Sequence, residues 1–120
     1  YTTLFRSIIL CENVAIVHTS KEREDVEIII VTSSKFRNKK ARPVTKGFLK
    51  KYPEVEREYK RLKKINEEQT YYFQIIRNGS LRKYIFLENI YTTCVKSAYT
   101  PAAIESIKIA RGQINFNERG

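Results

Sequence analysis

A chain of 120 residues has the size of one domain and can bury a core without metal or disulfide support. Its 42% hydrophobic content, spread over Ile, Val, Tyr and Phe, excludes a disordered chain, and runs such as Ile28 to Val31 are far too short for the ~20-residue apolar stretch of a membrane crossing. A formal net charge of +10 favours anionic partners, nucleic acid and phosphorylated ligands among them.

In chain order, "LFRSIIL" and "NVAIVHTS" have strand length and are rich in β-branched residues, so two early strands are expected. "DVEIIIVTSS", Asp25 to Ser34, is an almost unbroken apolar run, which suits a central strand buried on both faces. A basic segment, "KFRNKKARPVTKG", follows, broken by Pro43 and Gly47. From Lys35 to Lys51 it and its continuation carry Lys35, Arg37, Lys39, Lys40, Arg42, Lys46, Lys50 and Lys51 with no acidic residue between them. The absence of compensating acids marks a contact surface in preference to a merely solvated loop.

A helix is expected from Pro53, which fits a first helical position, with Glu54, Glu56 and Glu58 near the positive end of the dipole and Lys63 and Lys64 near the negative end. Val55, Tyr59 and Leu62 give it an apolar face. "TYYFQIIRNGSLRKYIFLENI" reads as a hairpin turning at Asn78-Gly79. "TPAAIESIKIARGQI" offers Thr100 as N-cap, Pro101 in the first turn and an apolar stripe through Ala103, Ile107, Ala110 and Ile114, closing with a second helix near Gly112. Strands, helix, hairpin and helix together predict an α/β fold, a two-layer or three-layer sandwich with helices packed on a mixed sheet, in a single domain spanning residues 1–120. The loop after Ser34, beyond the carboxyl end of the central strand, is where such folds gather ligands.

Catalytic chemistry finds little support. His18, the only histidine, ends an apolar strand, and no G-x-S-x-G elbow accompanies it, so it reads as a structural histidine. One His and two Cys lack zinc-ligand spacings, and phosphate-binding glycine signatures are absent, so neither a metal nor a cofactor is expected. Asp25, Glu27 and Lys35 outline a nuclease-like set, but charges marking a strand edge explain them better. Aromatic and basic residues interleave from Tyr71 to Phe86, a pattern that serves either base stacking or, more often, a core. Cys11 and Cys94 read as buried reduced thiols, which points to an intracellular protein, cytoplasmic or nuclear.

The stretch "KGFLKKYPEVEREYKRLKK", Lys46 to Lys64, resembles the loop and helix of macrodomains, of general form KG-x-A-x-x-F-K-K-x-x-P-E-x-x-x-x-Y, through Lys46-Gly47, Leu49, Lys50-Lys51, Pro53-Glu54 and Tyr59. "YYFQIIRNGSLRKYIFLENI" looks like the strand pair that follows in that family, and "SAYTPAAIESIKIA" like its next helix. The resemblance implies a macrodomain-like α/β/α sandwich and an ADP-ribose site that would fall on Ser33, Ser34, Thr45 and Gly47. That site is degenerate by the same comparison. The family's Gly-Asp and Asn-rich turns are missing, Arg42, Pro43 and Val44 crowd the phosphate loop, and no catalytic residue carries over. The chain also stops at Gly120, before the family's last strand and second phosphate loop, which implies a truncated member.

The sequence therefore predicts a non-catalytic module whose basic loop contacts nucleic acid or another polyanion. The alternatives are an ADP-ribose reader or ADP-ribosyl hydrolase with an altered pocket, and an assembly domain of a larger protein.

Overall fold

The computed structural model describes residues 2–4, 7–9, 11–22, 25–33, 41–77 and 81–119, with side chains over 11–20, 26–33, 41–77, 83–109 and 111–112. Strands β1 (Thr2–Leu4) and β2 (Ser7–Ile9) pair only with each other, so the first of the two expected early strands stays out of the main sheet. A 3₁₀ turn at Cys11–Asn13 leads into β3 (Val14–Glu22), which pairs antiparallel with β4 (Asp25–Thr32). Then follow β5 (Arg42–Pro43), α1 (Lys46–Lys51), α2 (Pro53–Ile65), β6 (Tyr72–Ile76), α3 (Leu81–Thr93), β7 (Ala98–Tyr99) and α4 (Pro101–Arg119). The sheet order is β5-β6-β4-β3-β7, mixed because β7 alone runs parallel to its neighbour.

β4 is central, as its continuous apolar run predicts, and its alternate side chains divide the core. Ile28 and Ile30 join Val14, Val17 and Ile76 beneath Phe86, Leu87 and Ile90 of α3 and Ala103 and Ile107 of α4. On the other face Ile29 and Val31 join Ile16 beneath Phe48 of α1, Tyr52 and Val55 of α2. The architecture is α/β with helices on both faces of an open five-stranded sheet. No helix among the described residues is long and apolar enough to cross a membrane.

Two expectations are corrected. The predicted hairpin is a strand followed by a helix. β6 takes the first half, Asn78-Gly79 lies outside the described residues, and α3 takes the second. Lys83, Phe86, Leu87, Ile90 and Cys94 are all buried, and their spacing of three, one, three and four residues is that of one helical face. On a strand, Phe86 and Leu87 would have faced opposite sides; on a helix both reach the same core. Tyr99 hydroxyl bonds to the Ile90 and Cys94 carbonyls close the end of α3, and burial pushes the Tyr99 pKa up to about 12.

The second correction concerns the cysteines. Cys94 is buried, as expected, but it is joined to Cys11 in a disulfide across 83 residues of sequence, with the Cα atoms 5.0 Å apart. The bond pins the end of α3 to the turn that launches β3. Such bonds persist in oxidising surroundings, so the cysteines no longer support an intracellular setting.

α4 begins as predicted, with Thr100 Oγ1 accepting the Ala103 N–H at 3.2 Å, but runs past Gly112 to Arg119. Ala103 and Ile107 are buried on the predicted stripe; the side chains of Ala110 and Ile114 lie outside those described.

Because a bond closing so long a loop restricts the unfolded chain strongly, reduction or the Cys11→Ser/Cys94→Ser pair should cost about 4 kcal/mol. Urea unfolding with and without reductant measures this. Coincident curves would show that the crosslink adds nothing.

Candidate nucleic-acid interface

The candidate surface is built on the α1–α2 pair. Thr45 Oγ1 caps α1 by accepting the Phe48 N–H at 3.1 Å, and Phe48 anchors the helix by stacking on Phe73 with ring centroids 4.0 Å apart. α1 ends where the Tyr52 N–H reaches the Phe48 and Leu49 carbonyls, and Pro53 then opens α2. Anchoring Phe48 inward leaves Lys46, Gly47, Lys50 and Lys51 facing water.

Arg42 is exposed on β5, opposite Phe73 on β6. A groove of about 280 Å³ runs beside it, lined by Arg42, Phe73, Gln74, Ile75 and Arg77. Arg77 pairs with the buried carboxylate of Glu27 at 3.0 Å. Among the described residues, Arg42, Lys46, Lys50 and Lys51 are exposed and meet no carboxylate in an ion pair. Lys35, Arg37, Lys39 and Lys40 of the same predicted set lie outside the described residues.

The residues predicted as an alternative ligand site have other duties. Ser33 is half-buried, its N–H donating to Asn13 O at 2.8 Å and its carbonyl accepting from Gln69 Nε2 at 3.0 Å. Thr45 caps α1, and Gly47 lies in the first turn of that helix instead of in an open loop. A Cβ at Gly47 would meet only Thr45 Oγ1, at 3.9 Å. Ser34 lies outside the described residues.

At the opposite end of β4 a polar junction forms that the sequence did not announce. His18 is 5% exposed, with Nδ1 2.7 Å from Thr100 Oγ1 and its ring edge-on to Tyr52. Glu54, in the first turn of α2, accepts the Ala102 N–H of α4 at 3.2 Å, so the two helix beginnings meet over His18. Burial lowers the His18 pKa, with Glu54 opposing the shift. Burial also raises that of Tyr52, whose hydroxyl lies 3.5 Å from Glu27. Lys83 is 1% exposed, and its Nζ donates to Val26 O at 2.8 Å and Arg77 O at 3.1 Å.

His18 faces a capping threonine, both cysteines are bonded to each other, and no group of three metal-ligating side chains exists among the described residues. Asp25 and Glu27 do share strand β4, as the nuclease reading requires, but Glu27 is held by Arg77 and Tyr52. The aromatic residues between Tyr71 and Phe86 also serve packing: Tyr71 and Phe86 are buried and Phe73 is stacked on Phe48. Comparison with family models, with curated proteins and with solved structures yields no match for this chain.

Two outcomes check these placements. The unfolded chain binds a proton at His18 near pH 6.5, which the folded chain resists until lower pH; stability should therefore fall as pH drops below about 6.5 and level off beneath the folded pKa. Urea midpoints between about pH 7.5 and 5 should show this slope, and His18→Gln should flatten it. Gly47→Ala should keep the fold and add about 0.5 kcal/mol, read as a rise in Tm, because a helical glycine with free space gains from a side chain. A fall in Tm would mean that the position needs glycine after all.

Proposed function

We propose that the chain is a non-catalytic binding module that holds a polyanion, nucleic acid foremost, on its basic face. The supporting observation is the set Arg42, Lys46, Lys50 and Lys51, all exposed and all without a carboxylate partner among the described residues. Nearby acids are engaged elsewhere: Glu54 with Ala102, Glu56 with Lys60 and Glu58 with Arg61. Exposed cations without carboxylate partners attract phosphates, and their binding gains entropy by releasing counterions from the polymer. Lys35, Arg37, Lys39 and Lys40, contiguous in sequence with this set, complete the proposed footprint.

A macrodomain-like ancestry is part of this reading. It is supported by the Lys46 to Tyr59 sequence motif and by helices packed on a mixed sheet, although Lys46–Lys51 is a helix where the family has a loop and the strand pair expected next is a strand and a helix. ADP-ribose is the less favoured ligand because Ser33 and Thr45 already spend polar groups on Asn13 and Phe48. Because Cys11 and Cys94 are joined in a disulfide, binding should be measured with that bond intact.

Fluorescence anisotropy with labelled nucleic acid at a series of salt concentrations provides the test. Affinity should fall steeply with salt, and Arg42→Glu/Lys46→Glu/Lys50→Glu should weaken binding at least about tenfold and flatten the salt dependence, by about 0.9 in slope for each phosphate no longer neutralised. Calorimetry with ADP-ribose should give no heat. Unchanged affinity in the triple variant, or micromolar ADP-ribose binding, would overturn the proposal.

A further inference from the structure

β5 covers only part of the sheet border that β6 presents. It pairs with β6 at Arg42↔Phe73 and Pro43↔Tyr72, and beyond these no described residue stands opposite Ile75 or Arg77. Backbone groups in an antiparallel ladder alternate between the two sides of a strand. The Val44 N–H donates to the Tyr71 carbonyl at 3.0 Å, so Tyr71, Phe73, Ile75 and Arg77 turn their backbone groups outward while Tyr72, Gln74 and Ile76 turn theirs to β4. Lys83 Nζ occupies the Arg77 carbonyl at 3.1 Å. The Ile75 N–H and C=O have no partner among the described residues, and they point to the groove of about 280 Å³ that Ile75 lines together with Arg42 and Arg77.

Charge and hydrogen-bond inventory choose among occupants. Arg42 stands across from Phe73, and Arg77 lies four residues further along the strand, about 13 Å away, so one cation guards each end of the open edge. Both belong to the face of the sheet on which Phe73 and Ile75 pack with α1 and α2, because cross-strand neighbours and alternate residues share a face. Arg42 has no ion pair among the described residues, and Arg77, which gives Nε to Glu27 at 3.0 Å, keeps a side chain 58% exposed. A second copy of the chain would bring the same two arginines and its own net charge of +10, which repel. A phosphodiester accepts from the Ile75 N–H but has no hydrogen to give the Ile75 carbonyl. A peptide strand supplies donor and acceptor together, and carboxylates on its alternate residues reach the arginines.

We propose that an extended acidic peptide adds to the sheet at Ile75, antiparallel to β6 and in line with β5, with its carboxylates beside Arg42 and Arg77. The peptide residue opposite Ile75 exchanges both backbone bonds with it, and its side chain falls between the positions of the two arginines. The residue two places earlier in the peptide stands across from Arg77. Acidic side chains suit both places. The residue between them turns to the other face beside Ile76, where an apolar side chain continues the packing under α3. This site goes beyond the polyanion surface and shares only Arg42 with it.

Amide hydrogen exchange and fluorescence anisotropy test this with a labelled, end-capped heptapeptide of alternating Glu and Val and its Lys-for-Glu counterpart. In the free chain the Ile75 amide should exchange at least about tenfold faster than those of Gln74 and Ile76, and the Glu-Val peptide should slow it. The Lys-Val peptide should bind at least about tenfold more weakly, and Arg42→Ala, an exposed position, should weaken the Glu-Val peptide about threefold. N-methylation of the Glu residues, whose N–H groups face β6, should weaken binding at least about tenfold, whereas N-methylation of the Val residues should change it less than about threefold. Slow exchange at Ile75 in the free chain would mean that the edge is already covered and would overturn the inference. Equal losses from methylation at Glu and at Val would do the same, by leaving charge attraction alone. So would a Glu-Val peptide that fails to bind at about 1 mM, or protection of Ile75 that grows with the concentration of the chain itself and so seats a second copy there.

Discussion

β4 has no side that water can wet. Ile28 and Ile30 project from one surface and Ile29 and Val31 from the other, so the strand can exist only between two covering layers. At about 25 cal/mol per Å² of apolar surface removed from water, burying each of these side chains stabilises the fold by about 2 kcal/mol. Those layers use the chain in order: α1 and α2 close one face before β6 is laid down, and α3 and α4 close the other. The basic residues are exposed as a result, because helices that commit Phe48 of α1 and Val55, Tyr59 and Leu62 of α2 to the sheet must turn their remaining positions outward.

Polar groups are buried mainly at one end of the sheet, and each finds a partner. Thr100 both caps α4 and meets His18, Glu54 links α2 to the backbone of α4, and Glu27 is shared by Tyr52 and Arg77. A charged or hydroxyl group left alone there would cost more than any of these bonds contributes, so the junction fixes how the two helix layers sit on the strands. That end looks inward; the exposed cations of α1 and α2 look outward.

Much of the framework was legible because single residues leave unambiguous physical marks. The β4 run admits only a strand covered twice, Pro53 with its flanking charges admits only a helix beginning, and Thr100 before Pro101 could cap α4 and does. The segment after Asn78-Gly79 misled because Tyr84, Ile85, Phe86 and Leu87 favour strands locally, while the helical spacing from Lys83 to Cys94 acts only over a longer window. α1 escaped notice since six residues with a glycine give a weak helical signal. The Cys11–Cys94 bond spans 83 residues of sequence, and spacing alone cannot reveal such a pairing. At the candidate surface Arg42, Lys46, Lys50 and Lys51 of the basic run are exposed.

Lys83 brings a consequence of another kind. Its amine donates to the carbonyls of Val26 and Arg77 and has almost no exposure to solvent. An acylating reagent or acetyltransferase meets Lys46 or Lys64 freely but reaches Lys83 only when α3 lifts from the strand ends. Acylation there would also erase the positive charge those carbonyls hold, so a molecule marked at Lys83 would carry a chemical memory of having opened and would close again less readily.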